Sequence, residues 1–296
     1  MIRAPLSGLL AALMLAAPAA QAEPIALQTA QGAVTVPATP AKIAVFDIAA
    51  IDTLAALGVT PDGTPDKLYL DYLADVPVTP MGTLFEPDLE ALAGLAPDLI
   101  IVGGRSSTQV DALTPIAQTI DMTIWEDIPG EARQRIEAYG SLFGKTEKAA
   151  ELMANFDAAL TAARAAVAGK GTALILQTNG PKVSAYGKGS RFGWLHTALD
   201  LPEAYANLNP DTHGDAVSFE FIAQANPDWL IVIDRAAAIG ETASAQATLD
   251  NPLVAGTTAG QKGQILYLSS GPAYIAGGGY TSITTTLAEL TAAFSK

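Results

Sequence analysis

The sequence contains no cysteine in 296 residues, and it has only two histidines. Without thiols, the chain cannot form disulfides, thiolate metal sites, iron–sulfur clusters, a cysteine nucleophile or a lipid-modified N-terminal cysteine. Two histidines cannot supply a zinc site of three histidine ligands. Positive charge is also scarce, because 16 Lys and Arg stand against 30 Asp and Glu, for a net charge of −14. We therefore expect no binding to nucleic acid, whose phosphates require a cationic surface.

Catalytic sequence motifs are missing as well. The chain has no phosphate loop, no nucleophile elbow and no metalloprotease helix motif. The segment Gly187–Gly193 resembles a dinucleotide-binding loop, but Phe192 occupies the position of the third glycine. The sequence therefore predicts a protein that is not an enzyme.

Long apolar runs are absent except at the N-terminus. There, Arg3 precedes an apolar stretch from Leu6 to Ala20, which ends in the small-x-small pattern Ala20-Gln21-Ala22. This pattern is typical of a cleavable secretory signal. A membrane anchor is less favoured because a spanning helix needs about 20 apolar residues. We predict a signal peptide over residues 1–22 and a soluble protein exported to a bacterial periplasm.

An internal repeat indicates the architecture. Residues 88–105 and 218–235 align without gaps at an offset of 130, with seven of 18 positions identical. In each copy an amphipathic segment ends at Pro-Asp and is followed by an apolar, β-branched run, which predicts a helix followed by a buried parallel strand. The sequence thus predicts an α/β protein of two Rossmann-like lobes. The identical pairs are Glu90/Glu220, Ala93/Ala223, Pro97/Pro227, Asp98/Asp228, Ile101/Ile231, Val102/Val232 and Arg105/Arg235.

A single long helix is predicted between the repeats. Residues 146–167 carry apolar side chains at helical spacing and contain no Gly or Pro. At ~1.5 Å per residue this helix is roughly 30 Å long, enough to join two domains. An ordinary surface helix within one domain is the alternative. We predict an N-terminal lobe over 23–143, a linker helix over 144–169, a C-terminal lobe over 170–296, and a ligand cleft between the lobes.

Three arginines stand where a ligand is expected. Arg105 and Arg235 each follow a buried strand, at the carboxyl end where open α/β sheets bind ligands. Arg191 lies in the Gly-rich segment of the second lobe. Together they predict a cationic pocket for a planar or multidentate anion. Alternatively, each caps a helix or pairs with a nearby carboxylate such as Asp234. The other arginines outside the signal peptide are expected on solvated helix faces; they are Arg133, Arg135 and Arg164.

Two further residues are candidate iron ligands. His213 lies in a polar loop before the second repeat, and Tyr274 follows the predicted strand at 264–268. Neutral imidazole and phenolate can both bind ferric iron. Taken separately, each is an ordinary surface residue, and composition alone does not pair them.

Taken together, these motifs resemble those of one family over residues 35–296. The chain is similar to the helix-linked (class III) periplasmic binding proteins that serve ATP-driven importers of iron–siderophores, haem and vitamin B12, and most similar to the branch that binds ferric catecholate siderophores. The matching segments are Val45–Leu54, Glu90 through Pro97-Asp98 to Arg105, Gly189–Gly193, Thr212–Gly214, Pro227–Arg235 and Tyr274-Ile-Ala-Gly-Gly.

The resemblance implies roles for particular residues. It implies that Arg105, Arg191 and Arg235 contact catecholate oxygens, with Lys67 adding positive charge. His213 and Tyr274 would bind iron directly when the siderophore leaves coordination positions open, although Ser269–Ala273 lacks the aromatic residues that the family pattern has before this tyrosine. Glu90 and Glu220 would dock onto arginines of a membrane permease; by themselves they are ordinary helix-surface charges.

The expected function is that of a monomeric receptor that delivers a ferric siderophore to an ABC importer. It would hold no permanently bound cofactor, since Fe(III) arrives as the siderophore complex. Within the same fold, a haem or other metal-chelate receptor is the alternative, with Tyr274 or His213 as axial ligand. A two-lobed α/β hydrolase or synthase, and a structural or adhesion module, are further alternatives from other classes.

Overall fold

The computed structural model describes residues 23–77, 79–210, 213–242 and 244–296. The predicted signal peptide lies outside the described residues, and so does Thr212 of the histidine motif. Within the described ranges, no helix combines the length and the apolar character needed to cross a membrane.

The first lobe is built on a parallel sheet of three strands. The strands of this lobe are β1 (Ile25–Thr29), β2 (Gly32–Val36), β3 (Ile43–Val45), β4 (Leu99–Val102) and β5 (Gln118–Asp121). Its helices are α1 (Ile48–Ala56), α2 (Leu89–Leu95), α3 (Val110–Leu113) and α4 (Ile128–Leu142). Strands β3, β4 and β5 pair in chain order, whereas β1 and β2 form a separate antiparallel hairpin. Short 3₁₀ helices at Asp71–Leu73 and Gly104–Gln109 complete this lobe.

The second lobe follows the long helix α5 (Thr146–Val167). Its strands are β6 (Ala173–Asn179), β7 (Lys182–Tyr186), β8 (Asp215–Ala216), β9 (Trp229–Asp234) and β10 (Ile265–Tyr267). They form one mixed sheet in the order β10-β9-β6-β7-β8, in which β10, β9 and β6 are parallel and β7 pairs antiparallel with both β6 and β8. The helices are α6 (Trp194–Thr197), α7 (Phe219–Ala225), α8 (Arg235–Ala238), α9 (Ala245–Leu249), α10 (Pro252–Ala255), α11 (Thr258–Lys262), α12 (Ser270–Ile275) and α13 (Tyr280–Phe294).

The sequence repeat corresponds to the same local structure in both lobes. Helices α2 and α7 each end at a residue in the left-handed conformation, and the buried strands β4 and β9 follow. The Pro-Asp pair recurs in both copies of the repeat for a structural reason. The Asp98 carboxylate accepts hydrogen bonds from the N–H groups of Ala41 (2.9 Å) and Lys42 (2.8 Å), and the Asp228 carboxylate accepts one from the N–H group of Thr172 (2.9 Å). In each lobe this aspartate fastens the start of a neighbouring strand. The predicted plan of two α/β lobes is confirmed.

Helix α5 occupies the predicted position between the lobes. It packs against α4 and α13, and the predicted apolar stripe faces inward: Ala149, Leu152, Phe156, Ala163 and Val167 are buried. The structure thus has one continuous helix of 22 residues between the two sheets, as the spacing predicts. The lobe boundaries given above stay a prediction.

One arginine differs from its expected position. Arg133 and Arg164 are half-exposed on helix surfaces, as expected, but only 4% of Arg135 is exposed. Its guanidinium donates to the carbonyls of Met122 (3.1 Å), Thr123 (3.1 Å) and Gln28 (2.7 Å). The prediction of a solvated Arg135 was wrong because α4 turns this side chain toward three carbonyls, which satisfy the buried charge by hydrogen bonding.

A buried carboxylate joins α1 to α13. Asp52 is fully buried, and its oxygens accept hydrogen bonds from Thr281 N–H and Ser282 N–H (both 2.8 Å) in the first turn of α13. Tyr72 donates a third hydrogen bond at 2.7 Å. A Cβ atom on Gly279 would lie 2.5 Å from a carboxylate oxygen of Asp52, so this approach requires glycine. The first lobe thus caps the helix that packs on α5.

We expect Asp52→Ala to lower the free energy of unfolding by about 2–4 kcal/mol, because the N–H groups of Thr281 and Ser282 and the hydroxyl of Tyr72 lose an acceptor that is fully buried. Urea-induced unfolding measures this change. Asp75→Ala is the matched control, because Asp75 is exposed and its loss should alter stability by less than about 0.5 kcal/mol. Equal stability of the two variants would contradict the proposed role of this cap.

Candidate ligand-binding site

A cavity of about 620 Å³ lies between the lobes. It is bordered by the segments that follow β3, β4, β5 and β9, and therefore by the carboxyl ends of parallel strands from both sheets. This is the position at which open α/β sheets bind ligands. Its wall includes five residues singled out from the sequence, namely Arg105, Arg191, His213, Arg235 and Tyr274.

Arg105 reaches from the first lobe to the second. It follows β4 through Gly103 and Gly104, and the latter has a positive φ of 53°. The guanidinium donates to the carbonyl oxygens of Tyr274 (2.9 Å) and Ile275 (3.1 Å), at the end of α12. The carbonyl groups at a helix C-terminus carry partial negative charge, which favours a cation there.

Arg191 and Arg235 approach the same tyrosine from the second lobe. Arg191 donates to the carbonyl oxygen of Tyr274, and its Cζ lies 4.3 Å from the centre of the Tyr274 ring. Nε of Arg235 donates to the Tyr274 hydroxyl at 3.2 Å, and another nitrogen of the same guanidinium donates to Oδ1 of Asn179 at 3.3 Å. Burial, followed by the charge of Arg105, lowers the pKa of Arg191.

Tyr274 is consequently the one residue that all three guanidinium groups contact. Its carbonyl contacts two of them, its ring faces two, and its hydroxyl accepts from the third. Burial alone would raise the pKa of the phenol. The hydrogen bond from Arg235 and the charges of the three arginines outweigh that effect and lower the pKa of Tyr274 below its ordinary value. The site therefore favours negative charge at the phenol oxygen.

The three cations have no carboxylate partner in the described parts of the chain. The carboxylate of Asp234 instead accepts from the N–H groups of Ala236, Ala237, Ser244 and Ala245. The alternative in which Arg235 pairs with Asp234 was therefore wrong, because that carboxylate caps α8 and anchors the start of α9. Partly buried charges without counter-ions favour an anionic ligand.

The remaining predicted residues lie in different places. His213 is exposed and borders the cavity. Lys67 is not among the described residues that line it: its ammonium group donates to the carbonyl of Ile239 at 3.0 Å, just beyond α8, and lies 4.6 Å from the ring centre of Tyr69. Lys67 thus binds the negative end of a helix in the other lobe.

Glu90 and Glu220 are exposed in the first turns of α2 and α7. Hydrogen bonds from its own N–H and from Ser218 lower the pKa of Glu220, so this side chain is ionised at neutral pH. Their equivalent placement follows from the repeat.

Sequence reasoning missed several residues of the wall. Asp47 begins α1 and accepts a hydrogen bond from the N–H of Ala49 at 3.2 Å. Desolvation raises the pKa of Asp47 to about 6, against the lowering effects of backbone hydrogen bonds and of Arg105. Phe85, Trp125 and Trp194 also line the cavity. Asp47 lies shortly after the end of β3, as Arg105 lies shortly after the end of β4. This position at a strand end is the sequence feature that could have identified Asp47 as a site residue.

Comparison with known proteins assigns the class. Residues 43–271 match the periplasmic binding protein family. The chain is 35% identical over 266 residues to the petrobactin-binding protein YclQ of Bacillus subtilis, which covers 86% of this chain and 83% of that protein. The chain therefore belongs to the periplasmic binding protein family.

Individual relatives carry more specific names. The crystal structure of YclQ has a TM-score of 0.85 and 33% identity, covering 93% of this chain and 99% of YclQ. The ferric-anguibactin-binding protein FatB of Vibrio anguillarum is 28% identical over 88% of this chain and 84% of its own. The catecholate-siderophore binding protein VctP of Vibrio cholerae has a TM-score of 0.81 and 28% identity, covering 91% of this chain and all of the other.

We expect Asp47→Asn to strengthen binding of an anionic ligand about threefold at about pH 8, because it removes a like charge from the wall. Asparagine still caps α1, so the helix is retained. Below about pH 5 most of the wild-type Asp47 is already protonated, and the ratio of the two affinities should approach one. Calorimetric titration with the iron(III) complex of a synthetic bis-catecholate, at both pH values, tests this. A ratio that does not change with pH would contradict it.

Proposed function

We propose that the protein is a periplasmic receptor that binds a ferric siderophore with catecholate-type donors and delivers it to an ABC importer. The observation that carries this proposal is the group of three arginines around Tyr274, which lack carboxylate partners among the described residues and face the cavity between the lobes. A ferric catecholate complex is an anion with several oxygen atoms. Each guanidinium can donate charge-assisted hydrogen bonds to those oxygens.

The relatives support the same ligand class. They are named as binding proteins for petrobactin, ferric anguibactin and catecholate siderophores. We propose no catalytic role for the chain, a monomeric state, and no resident cofactor, so that iron enters and leaves as the chelate. Export to the periplasm rests on the predicted signal peptide together with the family assignment.

The decisive experiment titrates the protein with an iron(III) tris-catecholate and compares Arg191→Gln with wild type. Losing one charge-assisted contact should weaken binding about 10- to 100-fold. Arg133→Gln is the control, because Arg133 is exposed and pairs with Asp157 away from the cavity. A wild-type protein that binds no ferric chelate, or equal affinity of Arg191→Gln and wild type, would contradict the proposal. Intense Soret absorption in a parallel titration would point to haem instead.

We also propose that His213 and Tyr274 complete the coordination of iron when the chelate leaves two positions open. Both residues border the cavity, and the lowered pKa of Tyr274 favours the phenolate form that ferric iron binds. The nearby guanidinium groups would then stabilise both the phenolate and the catecholate oxygens.

Direct coordination predicts different results for two types of chelate. With a tetradentate bis-catecholate, Tyr274→Phe and His213→Ala should each shift the visible charge-transfer band and weaken binding at least about tenfold. With a hexadentate tris-catecholate, the band should stay unchanged, because no coordination position is open. Absorption spectra during titration measure both effects. Unchanged spectra and affinities of both variants with the tetradentate chelate would rule out direct coordination.

We propose that Glu90 and Glu220 are the contacts with the permease. They are exposed, and they occupy equivalent positions in the two lobes, which suits a partner built from two similar halves. Carboxylates at such positions can pair with arginines of the partner and steer its approach.

A further inference from the structure

The first lobe presents two exposed aromatic side chains at the cavity. Phe85 is 57% exposed, more than any other large hydrophobic side chain in the described ranges, and Trp125 is 46% exposed. Both border the cavity that contains the arginines. Large apolar side chains in contact with water are unfavourable, by about 25 cal/mol per Å² of apolar surface. Grouped at the edge of a cavity, they indicate a surface that a ligand covers.

Phe85 is held by a tightly hydrogen-bonded turn. Oγ1 of Thr83 accepts from the N–H groups of Phe85 (3.2 Å) and Glu86 (3.0 Å), and Nε2 of Gln109 donates to the Phe85 carbonyl at 2.9 Å. Gly82, with a φ of 92°, starts the turn. The backbone at Phe85 is therefore already ordered, and binding has to order only the side chain.

Trp125 is held in a comparable way. Its backbone N–H group donates to the carboxylate of Glu131 in the first turn of α4, and Asp127 caps the same helix. The segment leaves the carboxyl end of β5, as Arg105 leaves the end of β4. Trp125 and one of the cations therefore belong to the same edge of the first sheet, and Gln109, in the 3₁₀ helix after β4, holds the turn of Phe85 to that edge.

The two kinds of side chain fit two parts of one chemical group. A catecholate has a charged oxygen edge, which the guanidiniums bind, and a flat apolar ring, which an aromatic side chain can cover. Citrate and hydroxamate donors have charged or polar oxygens without such a ring. We propose that Phe85 and Trp125 form an aromatic rim that stacks on the aryl rings of the chelate and makes the receptor selective for aryl over aliphatic iron chelates.

This inference rests on the proposed function, and its test separates the two. Dissociation constants of wild type, Phe85→Ala and Trp125→Ala are measured by calorimetry for iron(III) bis-catecholate and iron(III) citrate, so that the readout does not depend on tryptophan emission. Each variant should bind the catecholate complex about tenfold more weakly, whereas citrate affinity should change less than about twofold. Phe85→Leu and Trp125→Leu keep an apolar side chain without a planar face, and should lose most of the same selectivity.

Leu89→Ala is the matched control, since Leu89 is also 46% exposed but is not among the residues that line the cavity. It should bind both chelates as wild type does. If Phe85→Ala and Trp125→Ala both bind the catecholate complex as tightly as wild type does, the aromatic rim is overturned. The proposed receptor function is not affected by that result. Equal losses for citrate and catecholate would overturn the selectivity. Failure of the wild type to bind either chelate would contradict the proposed function itself.

Discussion

The arrangement of the cavity depends on contacts between guanidinium groups and one tyrosine. Like charges at close range repel one another, and the lowered pKa of Arg191 reflects its burial and, after that, the charge of Arg105. Tyr274 offsets part of this repulsion: its carbonyl and the negative face of its ring contact Arg105 and Arg191, and its hydroxyl accepts a hydrogen bond from Arg235. An anion in the cavity would supply the rest of the compensation, so the proposed ligand is compatible with a protein that is strongly acidic overall.

The two lobes are connected by more than the long helix. Asp52 of the first lobe caps α13, Lys67 caps the end of α8, and Arg105 donates to the end of α12. All three contacts join a charged side chain of the first lobe to backbone groups at a helix terminus, where unpaired N–H or carbonyl groups are available. Together with α5, these contacts set the spacing of the two lobes across the cavity.

Much of the architecture could be predicted because the repeat carries it. Pro-Asp after an amphipathic segment, followed by a β-branched run, specifies helix, turn and buried strand, and the structure shows why the aspartates recur: Asp98 and Asp228 hold neighbouring strands. Arg105 and Arg235 could be predicted as site residues since strand ends meet at one edge of a sheet. Periodicity does not report which way a loop or a helix face turns. For that reason Arg135, buried against three carbonyls, was misplaced, and Lys67 was expected at a cavity that it does not line. Phe85 and Trp125 gave no periodic signal because neither lies in a helix or a strand.

The position of Tyr274 at the end of a short helix affects how such a cavity can change. Because two guanidiniums bind its carbonyl and a third binds its hydroxyl, any displacement of α12 would alter the contacts of all three cations at once. The glycines that follow, Gly277–Gly279, let the main chain pack closely on its way to α13, with Gly278 against Ile124 and Gly279 against Asp52. That close packing opposes a displacement of α12, so the three cations keep one common partner.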